Sequence, residues 1–108
     1  MIQFSDFEKV DIRVGTIVSV NDFPKAKKKA YQLQIDFGPL GVLRSSAQIT
    51  NRYTKEDLHH RQVLAVVNLG VKRIANFESQ CLVLGATQNE DVILLNPESP
   101  LPNGQTIQ

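Results

Sequence analysis

A chain of 108 residues suits one domain with one hydrophobic core, and its 42% hydrophobic and 21% charged residues are those of an ordinary soluble protein. A single cysteine, Cys81, excludes an internal disulfide, and no uncharged apolar stretch approaches the roughly 20 residues needed to span a bilayer. Net charge is only +1, but it is unevenly spread: residues 1–22 sum to −2, residues 23–73 to +7, and residues 74–108, which hold no Lys or Arg, to −4.

A basic middle between acidic ends is what a localised anion-binding surface requires, although lysines also simply solvate loops. With no tryptophan and few aromatics, the core must be built on Val, Ile and Leu. The opening MIQFSDFEK has no basic segment followed by an apolar one, so no secretory signal is expected, and a cytoplasmic location is.

In chain order, Ser5 and Glu8 have capping-box spacing, which predicts a short N-terminal helical turn. Its Phe4 and Phe7 either plug the end of the domain or pack on a second copy of the chain. Ile12–Val20 follows with Ile12, Val14, Thr16, Val18 and Val20 as the expected inward face, and Tyr31–Phe37 alternates with Tyr31, Leu33, Ile35 and Phe37 inward. Between these two strands lies a loop in which Lys25, Lys27, Lys28 and Lys29 are four of five consecutive residues. Gly38-Pro39-Leu40-Gly41 predicts a tight turn, making Val42–Gln48 the antiparallel return strand. Its Arg44, Ser45 and Ser46 suit phosphate and sugar contacts.

Thr54 with Asp57 three residues on predicts an N-cap and a short helix reaching about Arg61. His59 and His60 sit at its end. Adjacent helical residues do not share a face and no third ligand lies nearby, so no metal site is expected there. Val63–Asn68 is an apolar run of the length of a buried strand, and Lys72 and Arg73 follow in what reads as a loop. Cys81–Ala86 and Val92–Leu95 are further strands, the latter after an Asn89-Glu90-Asp91 turn. The tail NPESPLPNG, with three prolines, must be extended, capping the barrel or wrapping a partner.

About five strands with a short helix between the third and fourth predict an all-β, five-stranded oligonucleotide/oligosaccharide-binding (OB) barrel, flanked by an N-terminal turn and a C-terminal extension, as a single domain over 1–108. No esterase elbow, P-loop, zinc-protease motif or Cys–His nucleophile signature is present, so binding rather than turnover is the expected class, with no cofactor. Cys81 heads an apolar strand and reads as an inert core thiol. Lys25–Lys29, Lys72, Arg73 and Arg44 supply phosphate neutralisation, and Phe23, Tyr31 and Tyr53 are the nearest candidates for base stacking. Tyr31 is in phase with the core and is expected there instead.

Asp11–Gly15 (DIRVG), Ile35–Gly38 (IDFG), Ser45–Ile49 (SSAQI), Tyr53–Leu58 (Y-x-x-E-x-L), Val66–Asn68 (VVN) and Ser79–Ala86 (S-x-x-L-V-L-G-A) resemble, in order, the motifs of the tRNA-binding domain family. The resemblance runs from about Phe4 to the C-terminus. The segment Phe23–Tyr31 and the stretches SSAQIT and KRIANFES are similar to the family's small homodimeric branch, described as secretion-related chaperones. The resemblance implies an OB barrel, a twofold dimer built from the N-terminal turn and C-terminal segment (Phe4, Phe7, Leu101), and tRNA or other RNA as partner. The implied RNA-binding set is Lys25, Lys27, Lys28, Lys29, Arg44, Ser45, Ser46, Asn68, Lys72, Arg73 and Ser79. It also implies an alternative: unfolded or export-bound polypeptides held in a groove, with Phe23, Val71 and Phe77 as the apolar loop residues. Where family members read S-x-G-M, this chain reads Ser79-Gln80-Cys81-Leu82. That departure weighs against tight, structure-specific tRNA recognition and leaves salt-sensitive RNA binding.

Overall fold

The computed structural model describes all residues, 1–108. Five strands form the main sheet path: β1 (Ile12–Asp22), β2 (Tyr31–Asp36), β3 (Val42–Ala47), β4 (Gln62–Val66) and β7 (Leu82–Val83), in the order β3-β2-β1-β4-β7, all antiparallel. The ends of that path meet. Arg44 and Gln80 exchange two hydrogen bonds, the Ser46 N–H donates to Ser79 Oγ at 3.1 Å, and Ser45 Oγ donates to the Cys81 carbonyl at 2.9 Å. The result is the expected all-β, nearly closed OB-like barrel. Its interior holds Ile17, Leu33, Ile35, Phe37, Leu58 and Val63, all fully buried and none larger than Phe, as a tryptophan-free composition requires.

The inward face of β1 differs from simple alternation. Ile17 is fully buried and in the main core, whereas Val18 is exposed and Val14 is buried outside that core. A β-bulge is the reason: Ile17 pairs with Ile35 and Ser19 with Gln34, leaving Val18 without a partner on β2. One extra residue inverts which side chains face inward, so Gly15 and Ile17 point in before the bulge and Val20 after it. Glycine is required at position 15, because a Cβ there would lie 2.6 Å from Ile35 Cγ2 and 2.7 Å from the Phe37 ring.

The N-terminal helix α1 (Phe4–Glu8) begins earlier than its capping-box spacing suggests. Gln3, not Ser5, is the N-cap, and the Asp6 carboxylate accepts from the Gln3 N–H at 3.0 Å. No residue of α1 is buried, so Phe4 and Phe7 do not plug the barrel. Helix α2 (Lys55–Leu58) has the expected Thr54/Asp57 capping box, but ends at Leu58 rather than near Arg61. His60 takes a left-handed φ of 70°, and the His59 and His60 rings therefore stack, with centroids 3.8 Å apart, although the residues are adjacent.

Two hairpins lie outside the main sheet path and pack against it. β5 (Lys72–Ile74) and β6 (Phe77–Ser79) pair through a two-residue turn at Ala75-Asn76, so Lys72 and Arg73 lie on a strand and not in a loop. The apolar run Cys81–Ala86 is not one strand. It breaks after β7, and β8 (Gly85–Gln88) pairs instead with β9 (Asp91–Leu94). The tail is extended, as its prolines demand, and ends in β10 (Thr106–Ile107) paired to β1. Leu101 exchanges two hydrogen bonds with the Gln62 side chain, Thr16 Oγ1 donates to Asn103 Oδ1 at 2.7 Å, and the Gly104 N–H donates to the Val14 carbonyl at 2.7 Å. The tail thus clasps its own barrel. No helix is long and apolar enough to cross a membrane.

Candidate nucleic-acid interface

The lysine loop carries its own anchors. Phe23 and Ala30 bracket it, and together with Phe77 they form a second buried cluster, against which Ala26 and Ile74 pack. The Phe23 and Phe77 rings lie 5.5 Å apart and tilted, a favourable aromatic arrangement. Because Phe77 and Ile74 belong to the β5–β6 hairpin, this small core fastens the loop to the strand that bears Lys72 and Arg73. Arg44, on neighbouring β3, places its guanidinium 5.6 Å from the Phe77 ring centroid, within cation–π range. Lys25, Lys27, Lys28, Lys29, Lys72 and Arg73 are exposed around that anchor and Arg44 is half-buried. Residues up to 48 positions apart, Lys25 and Arg73, are thereby gathered on one side of the barrel.

Phe23 and Phe77 are 5% and 8% exposed, so neither is the surface apolar residue expected for gripping a polypeptide; their rings are spent on each other. Val71 is the exception. It is 61% exposed and lines a cleft of about 510 Å³ together with Ile49, Leu69, Ile74, Leu82 and Val92. Lys72, Ser46 and Ser79 also line this cleft, so it opens beside the basic side chains.

The small polar residues behave differently from the lysines. Ser45 is 1% exposed with its hydroxyl committed to the Cys81 carbonyl, and Ser79 is buried, accepting from the Ser46 N–H. Both are struts that close the barrel; Ser45 has no surface to offer a ligand, and Ser79 shows only a small part of itself to the cleft. Ser46 is half-buried and its side chain remains at the edge of the cleft. Asn68 is exposed, yet its amide oxygen accepts from the Asp11 N–H at 2.9 Å and its nitrogen donates to the Lys9 carbonyl at 2.7 Å, tying down the segment after α1. The tyrosines are also internal. Tyr31 OH donates to the Tyr53 carbonyl at 2.8 Å and Tyr53 OH accepts from the Leu94 N–H at 3.0 Å, so Tyr31 is in the core as expected and Tyr53 is no stacking platform. The face is electrostatic rather than aromatic.

One member of the face has no counterpart in the sequence reading. Glu78 stands between the two arginines, 3.4 Å from Arg73 Nη1 and 3.8 Å from Arg44 Nη2. Only the cross-strand pairing of Arg73 with Glu78 reveals it, and Ala75-Asn76 is a weak turn signal because Ala75 must adopt φ 52°. Cys81 is buried and burial pushes its thiol up to about 11, which keeps it protonated and unreactive near neutrality. No group of three His, Cys, Asp or Glu is placed to hold a metal ion.

A barrel of this topology with a basic face agrees with the sequence comparisons. The family described as "Putative tRNA binding domain" matches residues 12–106. The chain belongs to that family. The crystal structure of chaperone CsaA from Bacillus anthracis superposes with a TM-score of 0.96 at 49% identity, covering 100% of this chain and 99% of that one. The CsaA chaperone protein from Picrophilus torridus gives 0.95 at 50% identity, covering 100% of both chains. Methionine--tRNA ligase of Thermococcus onnurineus is 38% identical over 107 residues, 99% of this chain but only 14% of the ligase. The chain thus spans a small fraction of that enzyme and matches the two CsaA structures from end to end.

Proposed function

We propose that this chain is a non-enzymatic, homodimeric RNA-binding protein that takes tRNA or other RNA on the face formed by Lys25, Lys27, Lys28, Lys29, Arg44, Lys72 and Arg73, with Ser46 at its edge. The observation that carries the reading is the Phe23–Phe77 anchor, which brings two basic segments distant in sequence to one side of the barrel. Membership of a tRNA-binding family supports the same ligand class. Binding would rest on phosphate neutralisation, since no exposed aromatic borders the face, and affinity would fall steeply with salt as condensed counterions are released. An RNA ligand is consistent with a cytoplasmic location.

The homodimer reading draws on exposed apolar side chains of the N-terminal segment and the tail. Phe4 is 73% exposed with Phe7 beside it, ring centroids 6.2 Å apart, and Ile2, Val10 and Leu101 are also exposed. Two copies of one basic face would add avidity for a long polyanion.

The deciding experiment is fluorescence anisotropy of labelled tRNA across a salt series, with the wild-type chain and a Lys27→Ala/Lys28→Ala/Lys29→Ala variant. Micromolar or tighter binding that weakens steeply with salt and is lost in the variant is the expected result. Equal retention at low and high salt overturns it.

A second reading, a chaperone for unfolded or export-bound polypeptides, is favoured by the 510 Å³ cleft with its exposed Val71 and by the likeness to the two CsaA chaperones. Val71→Ser, which removes the apolar side chain without changing charge, should then abolish suppression of aggregation of a denatured client while leaving tRNA affinity nearly intact. Aggregation that proceeds unchanged with stoichiometric wild-type chain removes this reading.

A further inference from the structure

Resting on the RNA reading, we infer that Glu78 is a built-in competitor for RNA phosphate: its carboxylate occupies the acceptor position between Arg44 and Arg73 that a phosphodiester oxygen takes in the complex. The carboxylate reaches both guanidinium groups, Oε1 to Arg73 at 3.4 Å and Oε2 to Arg44 at 3.8 Å, so one anion bridges two cations. Glu78 faces Arg73 directly across the β5–β6 hairpin, which holds it in place by backbone pairing and not by side-chain flexibility. It is the carboxylate that bridges two of the proposed phosphate-binding cations.

The side chains are all partly open, with 44% of Arg44, 67% of Arg73 and 47% of Glu78 accessible, so an incoming phosphate can reach the guanidinium groups and the released carboxylate can turn to water. Exposed pairs of this length are weak, which makes them exchangeable. In the free protein Glu78 offsets the repulsion between the two arginines. In the complex a phosphate takes over that role, and Glu78 becomes a like charge beside it. Part of the electrostatic gain from binding is therefore cancelled, and affinity is held down at this end of the face while the lysine loop acts without a competitor.

Anisotropy titrations of labelled tRNA with full-length wild-type chain, Glu78→Gln and Glu98→Gln test this. Glu98 is exposed on the tail and controls for the loss of one negative charge anywhere. Glu78→Gln should bind roughly three- to tenfold tighter at low salt, with a steeper salt dependence, and Glu98→Gln less than about twofold tighter. The gain should vanish in an Arg44→Ala/Arg73→Ala background. A Glu78→Gln affinity equal to or below wild type, or a gain matched by Glu98→Gln, overturns the inference. So does a gain that persists without the arginines. If wild-type chain binds no tRNA, the RNA reading falls, and elution from immobilised heparin decides the role of Glu78 separately: later elution of Glu78→Gln than of Glu98→Gln upholds it, and co-elution overturns it.

Discussion

At the residue scale, the same side-chain types divide into ligand-facing and load-carrying groups according to what surrounds them. Ser45 looks like a phosphate-binding hydroxyl in sequence, but its Oγ bonds the Cys81 carbonyl at 2.9 Å across the seam of the barrel. Ser45→Ala should lower stability by about 1 kcal/mol in urea unfolding, the worth of one intramolecular hydrogen bond, and leave the salt slope of RNA binding unchanged. A loss of RNA affinity without loss of stability would return Ser45 to the interface. Cys81 shows burial acting on a charge. Its folded pKa of about 11 lies above the ordinary 9.0, so folding favours the neutral thiol. This contribution is fully present below about pH 9 and is lost as pH rises through about 11. Native chain should resist alkylation by iodoacetamide at neutral pH and react on unfolding; rapid reaction of the folded chain would contradict the burial.

At the element scale, the decisive feature is a loop and a hairpin joined by three buried side chains, Phe23, Ala30 and Phe77. Removing a buried phenylalanine ring typically costs about 3–5 kcal/mol; in a satellite cluster of this size the low end applies. Phe23→Ala should therefore unfasten the lysine loop without changing any charge. RNA affinity should fall several-fold, and protease cleavage within 25–29 should accelerate while the barrel stays folded by circular dichroism. Unchanged affinity would mean that the lysines act as a mobile tether and need no anchoring. Helix α2 is the contrasting case, an element whose Thr54/Asp57 cap is legible in sequence and present in the fold. Its end was not legible, because His59 turns to extended geometry and the His60 N–H then bonds the Ile17 carbonyl at 2.8 Å, beside the bulge.

At the scale of the whole molecule, exposed apolar surface occurs both in the cleft beside the basic side chains and on the N-terminal helix. The basic face lies around the β5–β6 hairpin, whereas α1 exposes Phe4 and Phe7 with none of its residues buried. A five-residue helix with no buried side chain is not stabilised by its own domain, and short isolated helices are marginal in water. The homodimer proposed above would give its two phenylalanines a partner surface. Phe4→Glu/Phe7→Glu should convert a dimer to monomer in sedimentation velocity and weaken apparent RNA affinity through lost avidity, with the barrel intact. A wild-type chain that sediments as a monomer at micromolar concentration would refute the dimer.

By itself the sequence determined the first four barrel strands, the helix between the third and fourth, the family and the set of basic side chains. These rest on local periodicity, capping and composition, which neighbouring residues specify. Only the tertiary structure decided which face of β1 is inward, because the bulge at Val18 takes its register from β2 and the end of α2. It alone separated Ser45, Ser79, Tyr53, Phe23 and Phe77, which are buried, from the lysines that are not, since burial depends on contacts tens of residues away. It alone placed Glu78 between Arg44 and Arg73, a juxtaposition created by a hairpin lying against β3 and carried by no local pattern.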